Sequence, residues 1–347
     1  MARAAVLTGL GGWVPATVVG NEELMPLAAG LDPDWIRVRT GIERRHVLAA
    51  GEATSDLAVA AGRRALDSAG ATGADALVVA TDTPDQLSPA IAPEVATRLE
   101  LGPIAAFDVG AVCTGFVYAL ATAAGLIAAG TADSVLVIGA DAFSTVLDPA
   151  DLTTRAVFGD GAGAVLLRAG SAGEPGALTG LALGSDGSRR DLIEIPGGGS
   201  RQRSSGLPVK EEDTYFRMQG RTVFAQAVHR MTESVRVTTA RAGWPADQVD
   251  RWVLHQANAR ILAAIARNLA VPPERFVSNI AEVGNTVAAS VPLTLAAGHA
   301  AGELRAGDRV VLAAFGGGLT WGSVGLVWPE LPGAATETEF DARGGRA

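Results

Sequence analysis

Cysteine, lysine and tyrosine are scarce: in 347 residues there is one cysteine, Cys113, one lysine, Lys210, and two tyrosines. A single cysteine excludes an internal disulfide and any multi-cysteine metal cluster. Long apolar runs are missing too. The longest candidate, GFVYALATAAGLIAAG (115–130), is too Ala/Gly-rich for a membrane span and reads as a buried helix. The opening MARAAVLTGLGGWVP has too short an apolar run and too much glycine for a secretory signal, so a cytoplasmic protein with no membrane association is expected. Positive charge is short as well: 28 Lys and Arg against 37 Asp and Glu leave a net charge of -9, which argues against a general nucleic-acid binder.

What is present is a large apolar fraction, 48%, enough for a sizeable core. Short β-branched runs read as strands: ALVVAT (76–81), SVLVIGA (134–140), GAVLL (163–167), RWVLH (251–255) and DRVVLAAF (308–315). Ala/Leu-rich segments of helical length lie between most of them, giving an α/β class with buried sheets. The chain also repeats itself. RRALDSAGATGADALVVAT resembles VRVTTARAGWPADQVDRWVLH, and IAAGTADSVLVIGA resembles HAAGELRAGDRVVLAAF. Asp75 then matches Asp250 and Asp133 matches Asp308, both at an offset of 175 residues. This predicts two duplicated halves, 1–172 and 173–331, joined near AGSAGEPGALTG, with a disordered tail over 332–347.

The duplication locates candidate chemistry. Cys113 follows a strand-like AAFDV and opens an apolar helix, where backbone N–H groups and the helix dipole favour a thiolate nucleophile; a lone cysteine is equally familiar as a small buried hydrophobe. His255 ends a buried strand, and Asn285 sits in a polar turn before the matching helix of the second half. Loops from both halves would meet at the strand ends, where α/β proteins keep their sites. FGDGAGAVLL (158–167) lacks the Lys-Ser/Thr ending of a phosphate loop and runs into a strand, so its glycines read as packing devices.

Taken together, AFDVGAVCTGF, VFGDGAGAVLL, HQANARI, GNTVAASVPLTL and FGGGLTWGS resemble, in order and over essentially the whole chain, the β-ketoacyl-acyl-carrier-protein synthase III family of the thiolase superfamily. The resemblance implies a five-layered αβαβα sandwich, a homodimer, and Cys113, His255 and Asn285 as catalytic residues, with the N–H groups of Cys113 and Gly317 as oxyanion donors. It implies no cofactor or metal: the substrates are acyl-coenzyme A or acyl-carrier-protein thioesters, condensed with malonyl-carrier protein after transfer to the cysteine. Phe116 and Phe315 are expected as apolar walls, Trp35 and Arg39 as contacts to the donor, and Arg260 and Arg267, seven residues apart on one helix face, as the dock for an acidic carrier protein.

Departures from the family pattern bear on the substrate. Leu152 stands where the family carries a coenzyme A-stacking arginine, with Arg155 three residues later, and points to a donor delivered on a carrier protein. Ser88 replaces a bulky apolar residue at the end of the acyl pocket and suggests a larger or more polar primer than acetyl. Val287 replaces a common serine, and the polar segment 189–220 reads as a surface excursion near the pocket mouth or dimer. These changes keep a second reading open, transfer of a bulky acyl group to an alcohol or amine without decarboxylation.

Overall fold

The computed structural model describes residues 3–27 and 33–331; the tail expected over 332–347 lies outside the described residues. The apolar runs pair into two sheets. The first contains β1 (Arg3–Trp13), β2 (Ala76–Ala80), β3 (Ala105–Val109), β4 (Ser134–Asp141) and β5 (Gly161–Ser171) in the spatial order β1-β5-β4-β2-β3. The second contains β6 (Thr179–Ser185), β7 (Arg251–Leu254), β8 (Arg309–Gly316) and β9 (Thr320–Val327) in the order β7-β8-β9-β6. The strands are apolar at successive positions because both faces of each sheet are covered. Val135 and Val137 of β4 point into the central core, whereas Leu136 and Ile138 point to the outer one.

Six of the helices cover the sheets or border the site: α1 (Pro33–Thr40), α2 (Thr54–Ser68), α3 (Gly115–Ala128), α4 (Gly220–Ala242), α5 (Ala259–Leu269) and α6 (Ser290–Ala300). Leu57, Ala61 and Ala65 of α2 cover the outer face of the first sheet. Helices α3 and α6 lie between the sheets, where Phe116, Leu120, Val291 and Leu295 join inward residues of both sheets in one core. Met231 and Val235 of α4, with Ile261 and Ile265 of α5, cover the outer face of the second sheet. The result is the five-layered αβαβα sandwich that the family resemblance implies.

The duplication is visible in the backbone. The Asp75 N–H donates to the Ser134 carbonyl (3.1 Å) and the Asp75 carboxylate accepts from the Ser134 N–H (2.8 Å). In the second half the Asp250 N–H donates to the Arg309 carbonyl (2.9 Å) and the Asp250 carboxylate accepts from the Arg309 N–H (2.8 Å). Both partners are thus displaced by the same 175 residues. Strand senses match as well: β2 is parallel to β4 as β7 is to β8, and β4 is antiparallel to β5 as β8 is to β9. The halves differ where the site lies. Residues 142–160 separate β4 from β5, but only 317–319 separate β8 from β9.

The glycines of FGDGAGAVLL are packing devices, as expected. A Cβ at Gly163 would stand 2.7 Å from the Pro292 Cβ, so β5 approaches α6 closely only because the side chain is missing.

Candidate active site

Cys113 sits in a one-turn 3-10 element, Val112–Thr114, that leads into α3. Val112 has φ of 46°, a left-handed conformation that a β-branched residue rarely takes. The turn is tied to the β8–β9 connection through Thr320: its Oγ1 lies within hydrogen-bond distance of the Ala111 carbonyl (3.3 Å), the Thr114 hydroxyl (3.0 Å) and the Gly317 carbonyl (3.0 Å), its single proton serving one of them at a time, and its carbonyl accepts from the Thr114 hydroxyl (3.2 Å). Cys113 and Gly317, the two expected oxyanion donors, are therefore carried by segments locked to each other.

His255 directly follows β7, and its N–H extends the sheet pairing to the Ala313 carbonyl (2.8 Å). The next residue, Gln256, is fully buried and braces the turn by donating its backbone N–H to the Ser290 hydroxyl (2.7 Å) and accepting from the Ser278 hydroxyl (2.7 Å). Asn285 is fixed on both sides of its backbone by Val157 and Gly159 (2.9 and 3.0 Å). Its Oδ1 accepts from the Val287 N–H (3.0 Å), which directs the opposite, NH2 end of the amide to the site.

Cys113, His255, Asn285 and Phe315 line one apolar cavity of about 40 Å³. The remaining wall includes Phe143, Phe158 and Phe216, whose ring centroids are 4.8 to 5.0 Å apart. Phe143 and Phe158 come from the 142–160 segment unique to the first half, and Phe216, Met218 and Ile193 from the 189–220 excursion. That excursion is thus part of the pocket wall and not only a surface feature. Val287 is fully buried in the same cluster as Cys113, where a serine hydroxyl would meet apolar neighbours.

The electrostatics differ from the expectation of a ready thiolate. Burial pushes the Cys113 thiol up, and the Asp141 and Asp82 carboxylates add to the effect. Burial also pushes His255 down to about 3, and its Nδ1 has no hydrogen-bond partner among the described residues. The resting site therefore holds a neutral thiol and a neutral imidazole. A helix start gives Cys113 favourable dipoles, but removal from water outweighs them.

A second, open cavity of about 550 Å³, lined by Trp35, Arg39, Thr153, Arg221, Asn258 and Arg260 among others, neighbours the first, with Val157, Asn258 and Arg260 adjacent in the chain to Phe158, Ala257 and Ile261 of the apolar cavity, and offers an approach to it. The Arg39 guanidinium lies over the Trp35 ring at 4.5 Å. Asn258 caps α5 by accepting from the Arg260 N–H (2.8 Å) and donates to the Arg39 carbonyl (3.2 Å), tying α1 to α5.

Several sequence expectations need correction. Phe116 is fully buried in the core between the sheets and does not line the cavity, because it occupies the inner face of α3. Ser88 stands on an exposed segment outside the cavity lining of its own chain, so the apolar pocket gives no support to a more polar primer. Arg155 bends away, donating to the Pro149 carbonyl (3.1 Å), and is not in the approach lining; Leu152 instead packs in an apolar cluster against Trp35. Arg260 reaches the approach, whereas Arg267 is exposed on α5 but outside the lining. Sequence reasoning missed Arg221, Asn258 and the aromatic wall; of these, only Asn258 carried a legible signal, an asparagine just before a helix of strong apolar periodicity.

The five layers and the duplicated halves define a protein of the thiolase-like fold. Family models described as 3-oxoacyl-[acyl-carrier-protein (ACP)] synthase III and as its C-terminal part match residues 107–187 and 239–328. The chain is 56% identical over 333 residues to beta-ketoacyl-[acyl-carrier-protein] synthase III 3 of Streptomyces coelicolor, covering 95% of this chain and 99% of that one. The crystal structure of 3-oxoacyl-(acyl carrier protein) synthase III from Pseudomonas aeruginosa PAO1 superposes with a TM-score of 0.88 at 52% identity, covering 94% of this chain and 99% of the other. The priming beta-ketosynthase of the R1128 polyketide biosynthetic pathway superposes at 0.87 with 30% identity, over 95% of this chain and 98% of its own. The chain belongs to the β-ketoacyl-acyl-carrier-protein synthase III family and is an enzyme of that type.

Proposed function

We propose that the protein primes fatty-acid or polyketide synthesis by a two-stage condensation through an acyl-cysteine. The observation that carries this reading is the meeting of Cys113, His255 and Asn285 in one dry cavity. In the first stage the Cys113 sulfur attacks the donor thioester carbonyl, the carbon–sulfur bond to the departing thiol breaks, and the Cys113 proton ends on that thiol. The N–H groups of Cys113 and Gly317 receive the oxyanion. In the second stage malonyl-carrier protein loses carbon dioxide. The enolate carbon attacks the acyl-cysteine carbonyl, and the cysteine leaves as thiolate and takes up a proton. His255, neutral in its buried setting, and the Asn285 amide donate hydrogen bonds to the enolate oxygen. No cofactor is assigned a step.

Three guanidinium groups, Arg39, Arg221 and Arg260, line the approach and suit the phosphate of a pantetheine arm, whether on coenzyme A or on a carrier protein. Leu152, in place of the family arginine, leaves an adenine at Trp35 without that planar partner, which favours a carrier-protein donor. Arg260 and Arg267, exposed on α5, form the dock for an acidic carrier. Small acyl groups fit the closed cavity; larger ones require the 189–220 wall to move. A homodimer is part of this reading: β3 is an edge strand of the first sheet whose outer side is open to a second copy.

Product analysis tests the proposal. Wild-type protein supplied with acyl-coenzyme A or acyl-carrier donors and malonyl-carrier protein should form a β-ketoacyl-carrier product. Transfer of the acyl group to an alcohol or amine, with no β-ketoacyl product from any donor, would establish the alternative acyltransferase reading instead.

A further inference from the structure

The second half contains a counterpart of the Cys113 turn. Displacement by 175 residues carries Val112, Cys113 and Thr114 onto Val287, Ala288 and Ala289, which form the same one-turn element ahead of α6. The same displacement carries Asp141, the last residue of β4, onto Gly316, the last residue of β8. The two turns are therefore faced by different groups. A Cβ at Gly316 would stand 2.9 Å from the Cys113 nitrogen and 3.2 Å from the Cys113 Cβ, so only glycine keeps the face of that amide clear for an oxyanion. At the counterpart the face is filled: Asp141 Oδ2 accepts from the Ala288 N–H at 2.9 Å.

Asp141 is fully buried, and its other oxygen is engaged as well. Oδ1 accepts from the Asp82 N–H (2.8 Å), the Thr83 hydroxyl (3.0 Å) and the Thr81 hydroxyl (3.3 Å). One carboxylate thus ties the loop after β2 to the turn that follows Asn285. In that turn consecutive amides are satisfied from two sides, Val287 by the Asn285 side chain and Ala288 by Asp141. Val287 holds a left-handed φ of 53°, and such a turn forms a concave pair of N–H groups suited to an anion. Removing this acceptor leaves the Ala288 N–H unpaired in a strained turn directly attached to Asn285.

We propose that Asp141 is a positioning residue: its carboxylate, seated where an oxyanion sits in the other half, holds the 285–289 turn so that the Asn285 amide meets the enolate of the second stage. The inference rests on the reading of Asn285 as a donor in condensation. It separates the two stages, because among the described residues Asp141 hydrogen-bonds to the Asn285 turn and the loop after β2, not to the Cys113 turn.

The test is a double-mutant cycle with Asp141→Asn, Asn285→Ala and the pair, each measured for acyl-Cys113 formation and for β-ketoacyl product at varied malonyl-carrier concentration. Asp141→Asn should acylate no slower than wild type. Its condensation kcat should fall by roughly 10- to 100-fold, the scale of a displaced catalytic group, with KM for malonyl-carrier protein little changed. In the Asn285→Ala background the second substitution should add less than about twofold, the limit for two changes acting through one group. Equal losses in both stages, independent multiplying losses, or no loss in Asp141→Asn would overturn the inference. If Asp141→Asn does not fold, Thr83→Val removes one Oδ1 donor and should give a smaller loss confined to condensation; an unchanged Thr83→Val would then overturn it. An Asn285→Ala variant that condenses like wild type overturns the parent reading together with the inference, whereas an impaired Asn285→Ala beside an unimpaired Asp141→Asn overturns the inference alone.

Discussion

Val112 and Val287 hold left-handed backbones, with φ of 46° and 53°, at the same point of the two duplicated halves. A β-branched residue in that region costs on the order of 1–3 kcal/mol, so the chain bears the strain twice. The residue that follows is Cys113 in one half and Ala288 in the other. The partners are distributed in reverse: His255 corresponds to Ala80 and Asn285 to Gly110. Each half has kept what the other lacks, and the two together make one complete site per chain.

Gly316 is the position where this asymmetry is most sensitive. Gly316→Ala places a methyl group 2.9 Å from the Cys113 nitrogen. Acylation of Cys113 should fall by about 10²-fold or more, the scale of a lost oxyanion donor, while crowding costs only about 1–3 kcal/mol of stability. Stopped-flow acylation together with thermal unfolding checks this. Acylation within threefold of wild type would contradict it.

Cysteine alkylation by iodoacetamide should show the raised thiol. Burial first, then Asp141 and Asp82, disfavours the thiolate, so the rate should climb about tenfold per pH unit with no plateau up to pH 9. Asp141→Asn removes one of the carboxylates and should move the profile toward lower pH. A plateau below pH 8 in the wild type would show a thiolate already formed at rest.

The parts of this arrangement that the sequence discloses are those set by local periodicity. The strands, the apolar face of α5 and the 175-residue repeat each arise from patterns within a few residues, and the Asp75 and Asp250 pairings are their direct outcome. Cys113, His255 and Asn285 were legible through the family resemblance, and the structure brings them into one cavity. The aromatic wall was not, because Phe143, Phe158 and Phe216 come from segments without helical or strand periodicity that meet only through tertiary folding. Phe116 misled for a related reason: it lies three residues after Cys113, but the helix turns it into the core. The protonation of the thiol was hidden too, since burial and distant carboxylates outweigh a helix start.

His255 should leave a signature in acid stability. Its folded value is about 3 against an ordinary 6.5, so between those pH values the unfolded chain binds a proton that the folded chain does not. Stability therefore falls as pH drops from 6.5 toward 3, by up to about 1.4 kcal/mol per unit from this group. Urea unfolding of wild type and His255→Asn at pH 7, 6 and 5 should show a shallower decline in the variant. Identical slopes would place His255 in contact with solvent or an acid.

Phe216 closes the acyl cavity against Phe143 and Phe158. Phe216→Ala should cost about 3 kcal/mol and open space beside Cys113, shifting donor preference toward longer acyl chains. Competition between short and long acyl donors, read from the mass of the acyl-enzyme, checks the shift. Unchanged preference would assign chain-length control to another wall.

The central claim, that Cys113 carries the acyl group from donor to malonyl unit, is tested most directly by intact-protein mass spectrometry. Wild type and Cys113→Ala are exposed to acyl-coenzyme A and acyl-carrier donors and then to malonyl-carrier protein. The account predicts an acyl adduct on wild type alone that malonyl-carrier protein discharges as a β-ketoacyl product. An adduct persisting on Cys113→Ala, or no adduct from any donor on wild type, would contradict it.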